Sequence, residues 1–167
     1  AFASAVGAVN GLLSAGGTVQ VKVTLSEATN VVGSPQLGLL VDGQTVQAIY
    51  KSGSGSNELI FEYTIQPGQV DLNGLAIAAN SLSLNGGSMT DAAGNAATLN
   101  HGALADDGAY KVDASVLTAP VIYTVSGDNL IGAADAGKPI QGTGKPGATV
   151  SLTLGTATVT AARATVS

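Results

Sequence analysis

Residues 18–25 read TVQVKVTL, with Val19, Val21, Val23 and Leu25 alternating with Thr18, Gln20, Lys22 and Thr24. A period of two places every second side chain on the same face, so this stretch reads as a β-strand with one buried and one wet face. Outward from it the same grammar repeats. Upstream, residues 1–10 make a weaker strand with Phe2, Val6 and Ala8 as its apolar positions, ended by Asn10-Gly11. Downstream, Gly33-Ser34-Pro35 breaks the chain, and Leu37, Leu39 and Val41 form a third strand. Asp42-Gly43 follows, a two-residue hairpin signal that leads into a return strand through Val46, Ala48 and Tyr50. Glu58 to Ile65 alternates again, with Leu59, Phe61, Tyr63 and Ile65 facing inward.

Pro67-Gly68 and Asn73-Gly74 bracket the next turn, before a sixth strand through Leu75, Ile77 and Ala79. From Asn80 to Asn100 the chain reads as irregular, with Leu82 and Leu84 under a Gly86-Gly87 turn and DAAGN at residues 91–95 as a further turn. Tyr110 and Val112 mark a seventh strand at 109–112. No sustained helical period occurs. Short strands with turn signals at this spacing predict an all-β, antiparallel Ig-like β-sandwich over residues 1–117. Tyr50, Phe61, Tyr63 and Tyr110 are expected to fill its core.

The same style of sequence restarts at Pro120. PQLGLLVDGQTVQA from Pro35 and PGATVSLTLGTATVTA from Pro146 share a Pro-led strand, a Gly turn and a TV-x-A return strand. That is the kind of echo a tandem array produces. Residues 118–167 are therefore read as the N-terminal part of a second, incomplete Ig-like domain, since so short a segment cannot close a sandwich. The missing strands are expected from a continuation of the chain or, alternatively, from another copy. The chain begins and ends in mid-pattern and is expected to be a piece of something longer.

Composition narrows the function. Among 167 residues, 45% are hydrophobic but only 4% aromatic and 10% charged, with 23 Gly, no Cys and no Trp. Six basic residues against eleven acidic ones, a net charge of −5, cannot form a phosphate-tracking stripe or a patch for anionic lipid. Nucleic acid and membrane insertion are accordingly not expected, and no apolar run reaches the length of a spanning helix. Without Cys there is neither a disulfide framework nor a thiolate metal site. One histidine, His101, sits in the loop NHGALADD, no G-x-S-x-G elbow occurs, and Asp106 and Asp107 are adjacent. With no nucleophilic or paired-carboxylate constellation, the chain reads as a non-enzyme with a solvated loop histidine.

The carboxylates make more sense as hard-cation ligands, because several fall at turns where carbonyl oxygens are also free. Counting strand directions, Glu27 and the loop carrying Asp91 and Asn95 meet at the pole where the domain begins. The same count assigns Asp106 and Asp107 to that pole and Asp113 to the opposite one, with Asp128 and Asp135 as the second segment's ligands near Asp113. Equally, each of these residues is a common turn former that bonds its own backbone.

The succession TLSEA, GSGSNELIFEYTI, LNGLAIAANSLSLNGGSMTDAAGNAA and AYKVDASVLTAP over residues 1–120 resembles the bacterial Ig-like tandem repeats of giant surface adhesins and biofilm-associated proteins, the extender domains of RTX-type adhesins. APVIYTVSGDNLIGAADAGKPIQGTGKPGATVSLTLG resembles the start of a second repeat subtype. The family's joint commonly reads VDTTAP, and VDASVLTAP here is longer. The resemblance implies an extracellular, cell-surface protein whose repeats bind structural Ca2+ at interdomain joints through Glu27, Asp91 and Asp113. The expected function is a structural extender, a calcium-stiffened rod whose partners are neighbouring repeats of the same chain. The alternatives are a subunit of a self-assembling filament, completed by strand exchange with other copies, or a carbohydrate- or surface-binding module.

Overall fold

The computed structural model describes residues 1–9, 11–116, 119, 121–123, 142–143, 151–154 and 157–160. The chain falls into two compact units, Ala1–Val116 and Leu117–Ser167. It is all-β, with no helix among the described residues.

The first unit is built from ten strands. They are β1 (Phe2–Val9), β2 (Leu12–Val32), β3 (Gln36–Val41), β4 (Gln44–Ser52), β5 (Ser56–Thr64), β6 (Val70–Asp71), β7 (Leu75–Ser83), β8 (Ser88–Thr90), β9 (Leu104–Asp107) and β10 (Lys111–Asp113). They form one large sheet in the order β6-β10-β2-β5-β4-β3-β7-β9, with β1 and β8 also pairing with β2. Every pairing is antiparallel except β10 with β2, where Val112 lies beside Leu13. Leu13, Val19, Val21, Leu39, Phe61, Leu75 and Val112 belong to one buried cluster, which joins the neighbours β10, β2 and β5 to β3 and β7 further along the pairing order. Its largest side chain, Phe61, meets Tyr50 edge-on, with ring centroids 5.9 Å apart. Tyr50, Tyr63 and Tyr110 pack against the cluster half-buried, with the hydroxyls of Tyr50 and Tyr63 hydrogen-bonded to Ser54 and Gln69, while Phe61 is wholly enclosed.

The period-two stretch around Val21 is the middle of β2, a strand of 21 residues. It runs past Leu25 because it changes partners. Its register against β5 goes from Thr24↔Glu58 to Thr29↔Ser56, so Leu25–Ala28 bulge out against the single residue Asn57. Beyond the bulge, Asn30–Val32 pair with β8. A similar break marks β7, which pairs with β3 at Leu39↔Ile77 and then at Leu37↔Leu82. Asn80, at φ 54, supplies the left-handed kink, a conformation asparagine tolerates because its short side chain finds local hydrogen bonds. The reward is burial of Leu82. The segment from Asn80 to Asn100, read from sequence as irregular, thus contains the end of β7 together with β8, and β9 follows just beyond it.

The Asp42-Gly43 hairpin is formed as its chemistry requires. Both residues have positive φ, 48 and 73, and Val41 pairs with Gln44 across them.

In the second unit, β11 (Val121–Ile122) pairs antiparallel with β12 (Gly142–Thr143), and β13 (Ser151–Leu154) with β14 (Ala157–Thr160). Leu154 lies opposite Ala157, the same two-residue spacing as the β3–β4 hairpin.

Candidate functional site

Glu27, Asp91 and Asn95 come together. They line a depression of about 450 Å³, along with Thr24, Ser26 and Asn100. Two local features create it. The bulge in β2 swings Leu25–Ala28 out of the ladder, and Thr29 Oγ1 holds it by donating to the Glu27 carbonyl at 3.1 Å. Just beyond, Thr90 of β8 pairs with Asn30, so Asp91 emerges beside the bulge. The convergence follows from β8 pairing with the extension of β2, and not from a count of strands running up and down.

Asp91 organises its own turn. Its Oδ1 accepts from the backbone N–H groups of Ala93 at 2.9 Å and Asn95 at 2.8 Å, and its Oδ2 accepts from Asn95 Nδ2 at 2.8 Å. The turn closes through Asp91 N donating to the Asn95 carbonyl at 3.0 Å. The Asn95 side chain, with help from the Asn95 and Ala93 amides, holds the Asp91 carboxyl below the usual carboxylate range. Its ionised form is therefore favoured in the folded turn. That contribution to stability is complete above the ordinary carboxylate pKa and is lost as pH falls through the lowered one. Replacing Asn95 by alanine removes the largest cause. The Asp91 carboxyl titration, followed by its 13C shift, is then expected to move upward toward the ordinary value. An unmoved titration contradicts the assignment.

The Glu27 side chain is exposed and has no hydrogen-bond partner among the described residues. Asn95, donating through Nδ2, keeps its Oδ1 as an acceptor. All these side chains offer oxygen, the ligand type of hard cations. Among the described residues no three His, Cys, Asp or Glu side chains stand together. A hard cation here would have to be completed by amide, hydroxyl, carbonyl and water oxygens, and both Asp91 oxygens already accept hydrogen bonds within the turn.

Asp113 stands elsewhere. It ends β10, its backbone pairs with Val70, and its Oδ1 accepts from the Ser115 amide at 3.1 Å and from the Ser115 hydroxyl. Asp128 and Asp135 lie outside the described residues. The placement of Asp106 and Asp107 at the Glu27 pole is wrong. They end β9, which runs antiparallel to β7 and brings Asp107 beside Leu75 at the start of that strand. Asn73 Nδ2 donates to Asp106 at 2.6 Å. The strand count omitted β9 and so put its two aspartates at the wrong end, while Asp113, beside the start of β2, does lie at the end away from Glu27.

His101 is half-buried and engaged, not a solvated loop residue. The bulge in β7 leaves the Ser81 N–H without a strand partner, and His101 Nε2 accepts it at 3.0 Å. Nδ1 therefore carries the proton and donates to the Gly102 carbonyl at 2.8 Å. Asn80 and His101 add a reciprocal pair of bonds at 3.1 Å. With both ring nitrogens held by the backbone, this histidine closes a bulge.

A further carboxylate, Asp71, lies in the turn that Pro67-Gly68 and Asn73-Gly74 bracket. Asp71 is 3% exposed, and its oxygens accept from the amides of Asp42 at 2.7 Å and Gly74 at 2.8 Å. Asp71-Leu72-Asn73-Gly74 reads as a turn, and nothing local signals that its first residue reaches across to the β3–β4 hairpin. No family model, curated protein or solved structure matches this chain.

Proposed function

We propose that this chain is an extender segment of a bacterial cell-surface adhesin, made of Ig-like β-sandwich repeats and holding an adhesive region away from the cell. The observation that carries the reading is the succession of two compact units along one chain, with strands and no helix among the described residues of each. The resemblance of residues 1–120 to such repeats supplies the biological setting. A surface of Ser, Thr, Asn and Gln with little charge suits a repeat that must not adhere to its own copies. The depression at Glu27, Asp91 and Asn95 is where this reading puts a structural Ca2+. Extracellular modules bind calcium with Kd on the order of 10⁻⁴ to 10⁻³ M.

Thermal unfolding tests the calcium part. At about 10 mM calcium and a Kd near 10⁻³ M the expected gain is about 1.4 kcal/mol, or about 5 °C in Tm. Glu27→Gln, which alters an exposed side chain outside the core, is expected to abolish that gain while leaving the calcium-free Tm unchanged. Equal melting temperatures in calcium and in chelator remove the cation and leave the extender intact. Small-angle scattering tests the extender itself: a particle as compact as a single globule of this mass, in both conditions, overturns it.

A further inference from the structure

We propose that Asn85-Gly86 is a site of spontaneous deamidation, and that the fold protects the other described Asn-Gly pair, Asn73-Gly74, from the same reaction. In this chemistry the backbone nitrogen of the glycine gives its proton to water and attacks Cγ of the asparagine. The Cγ–Nδ2 bond breaks, ammonia leaves with the equivalent proton, and a succinimide ring remains. Water then opens the ring at either carbonyl, giving aspartate or isoaspartate. The net change is one water consumed and one ammonia released, with no oxidation or reduction. The reaction needs an available glycine nitrogen and an asparagine side chain open to water.

Both asparagines are exposed and each side-chain amide donates one hydrogen bond, so the two pairs differ at the glycine. Asn85 and Gly86 are exposed in the turn between β7 and β8, at φ 47 and 77. The turn is closed by Gly87 N donating to the Leu84 carbonyl at 2.8 Å, which leaves the Gly86 N–H with no acceptor among the described residues. Nothing lies within 4 Å of where a Gly86 Cβ would be, so the glycine stands in open space. Gly74, by contrast, is buried, and its N–H donates to the Asp71 carboxylate at 2.8 Å. The Asn73 amide is held by Asp106 at 2.6 Å. Attack there requires breaking a charge-assisted hydrogen bond first.

The product has a structural consequence. Asn85 Nδ2 donates to the Ser34 carbonyl at 3.1 Å, tying this turn to the bend between β2 and β3. The two segments also approach backbone to backbone, since a Cβ on Gly87 would lie 2.2 Å from the Val32 carbonyl oxygen. Deamidation replaces the donor with a carboxylate facing that carbonyl. Isoaspartate also lengthens the backbone in a turn that has no slack.

The test is ageing of the whole 167-residue protein at mildly alkaline pH, followed by peptide mass spectrometry that separates aspartate from isoaspartate. Conversion at Asn85 is expected to be at least about tenfold faster than at Asn73, the ratio set by the hydrogen bond Gly74 must give up. In urea, where the fold no longer distinguishes the pairs, the two rates are expected to converge. Comparable rates in the native protein, or a difference that persists in urea, overturn the proposal.

Discussion

Replacing Asp71 with alanine is expected to destabilise the first unit by about 3–5 kcal/mol, from the loss of two hydrogen bonds to a charged acceptor. The residue itself is 3% exposed, whereas Asp42, one of the two residues whose amides it serves, is exposed. Gly74 N–H is buried, and an orphaned buried donor retains its full desolvation penalty. Asp71 also does two things at once: one oxygen holds the β3–β4 hairpin through Asp42, and the other holds the turn into β7. Asp71→Asn separates these functions, because a carboxamide keeps one acceptor but turns its NH2 toward the second amide. Its cost is expected to be about half that of alanine, on the order of 2 kcal/mol. Urea unfolding with an unchanged m-value is the measurement. A loss below about 1 kcal/mol for alanine would mean that water replaces the carboxylate at both amides.

Much of the first unit was legible because its signals are local. Strict alternation at Thr18–Leu25 and Glu58–Ile65 and the Asp42-Gly43 turn each specify backbone and facing without outside help. What was not legible came from partners distant in sequence. Nothing in Ser26–Val32 announces a strand, yet those residues continue β2 because β8 waits on the far side of a bulge. Likewise Asn80 reads as a strand end, while in the fold it is a kink that lets Leu82 reach the core. Missing β9 then inverted the placement of Asp106 and Asp107. The candidate cation site illustrates both sides. Glu27, Asp91 and Asn95 were named from turn chemistry and do share one depression. The physical reason is a pair of irregularities, a bulge and a short strand, that alternation alone does not encode.

Gly74 is expected to tolerate no side chain, and a matched pair of alanine variants isolates the reason. Gly74 has φ 111, and a Cβ there would lie 2.1 Å from the carbonyl oxygen of Asp107. Gly68 has a comparably positive φ of 87, but nothing lies within 4 Å of its would-be Cβ. Gly68→Ala therefore reports conformational strain alone, about 1 kcal/mol. Gly74→Ala adds a collision with the backbone of β9, an edge strand that pairs with β7 only at Leu75↔Asp107 and Ile77↔Leu104. To relieve it, either β9 peels away or Gly74 moves off the Asp71 carboxylate, so the cost is expected to be about 4 kcal/mol or more. The double variant Gly74→Ala with Asp71→Ala distinguishes these routes. If Gly74 yields, its bond to Asp71 is already lost in the single variant, and the two costs sum to less than additively. If β9 yields, the bond survives and the costs add. Hydrogen exchange at the β9 amides reads the same choice independently. Less-than-additive costs with β9 still protected are the expected result, because Gly74 is anchored by one hydrogen bond to Asp71 whereas β9 is held at two registered positions and by the Asn73–Asp106 side-chain bond.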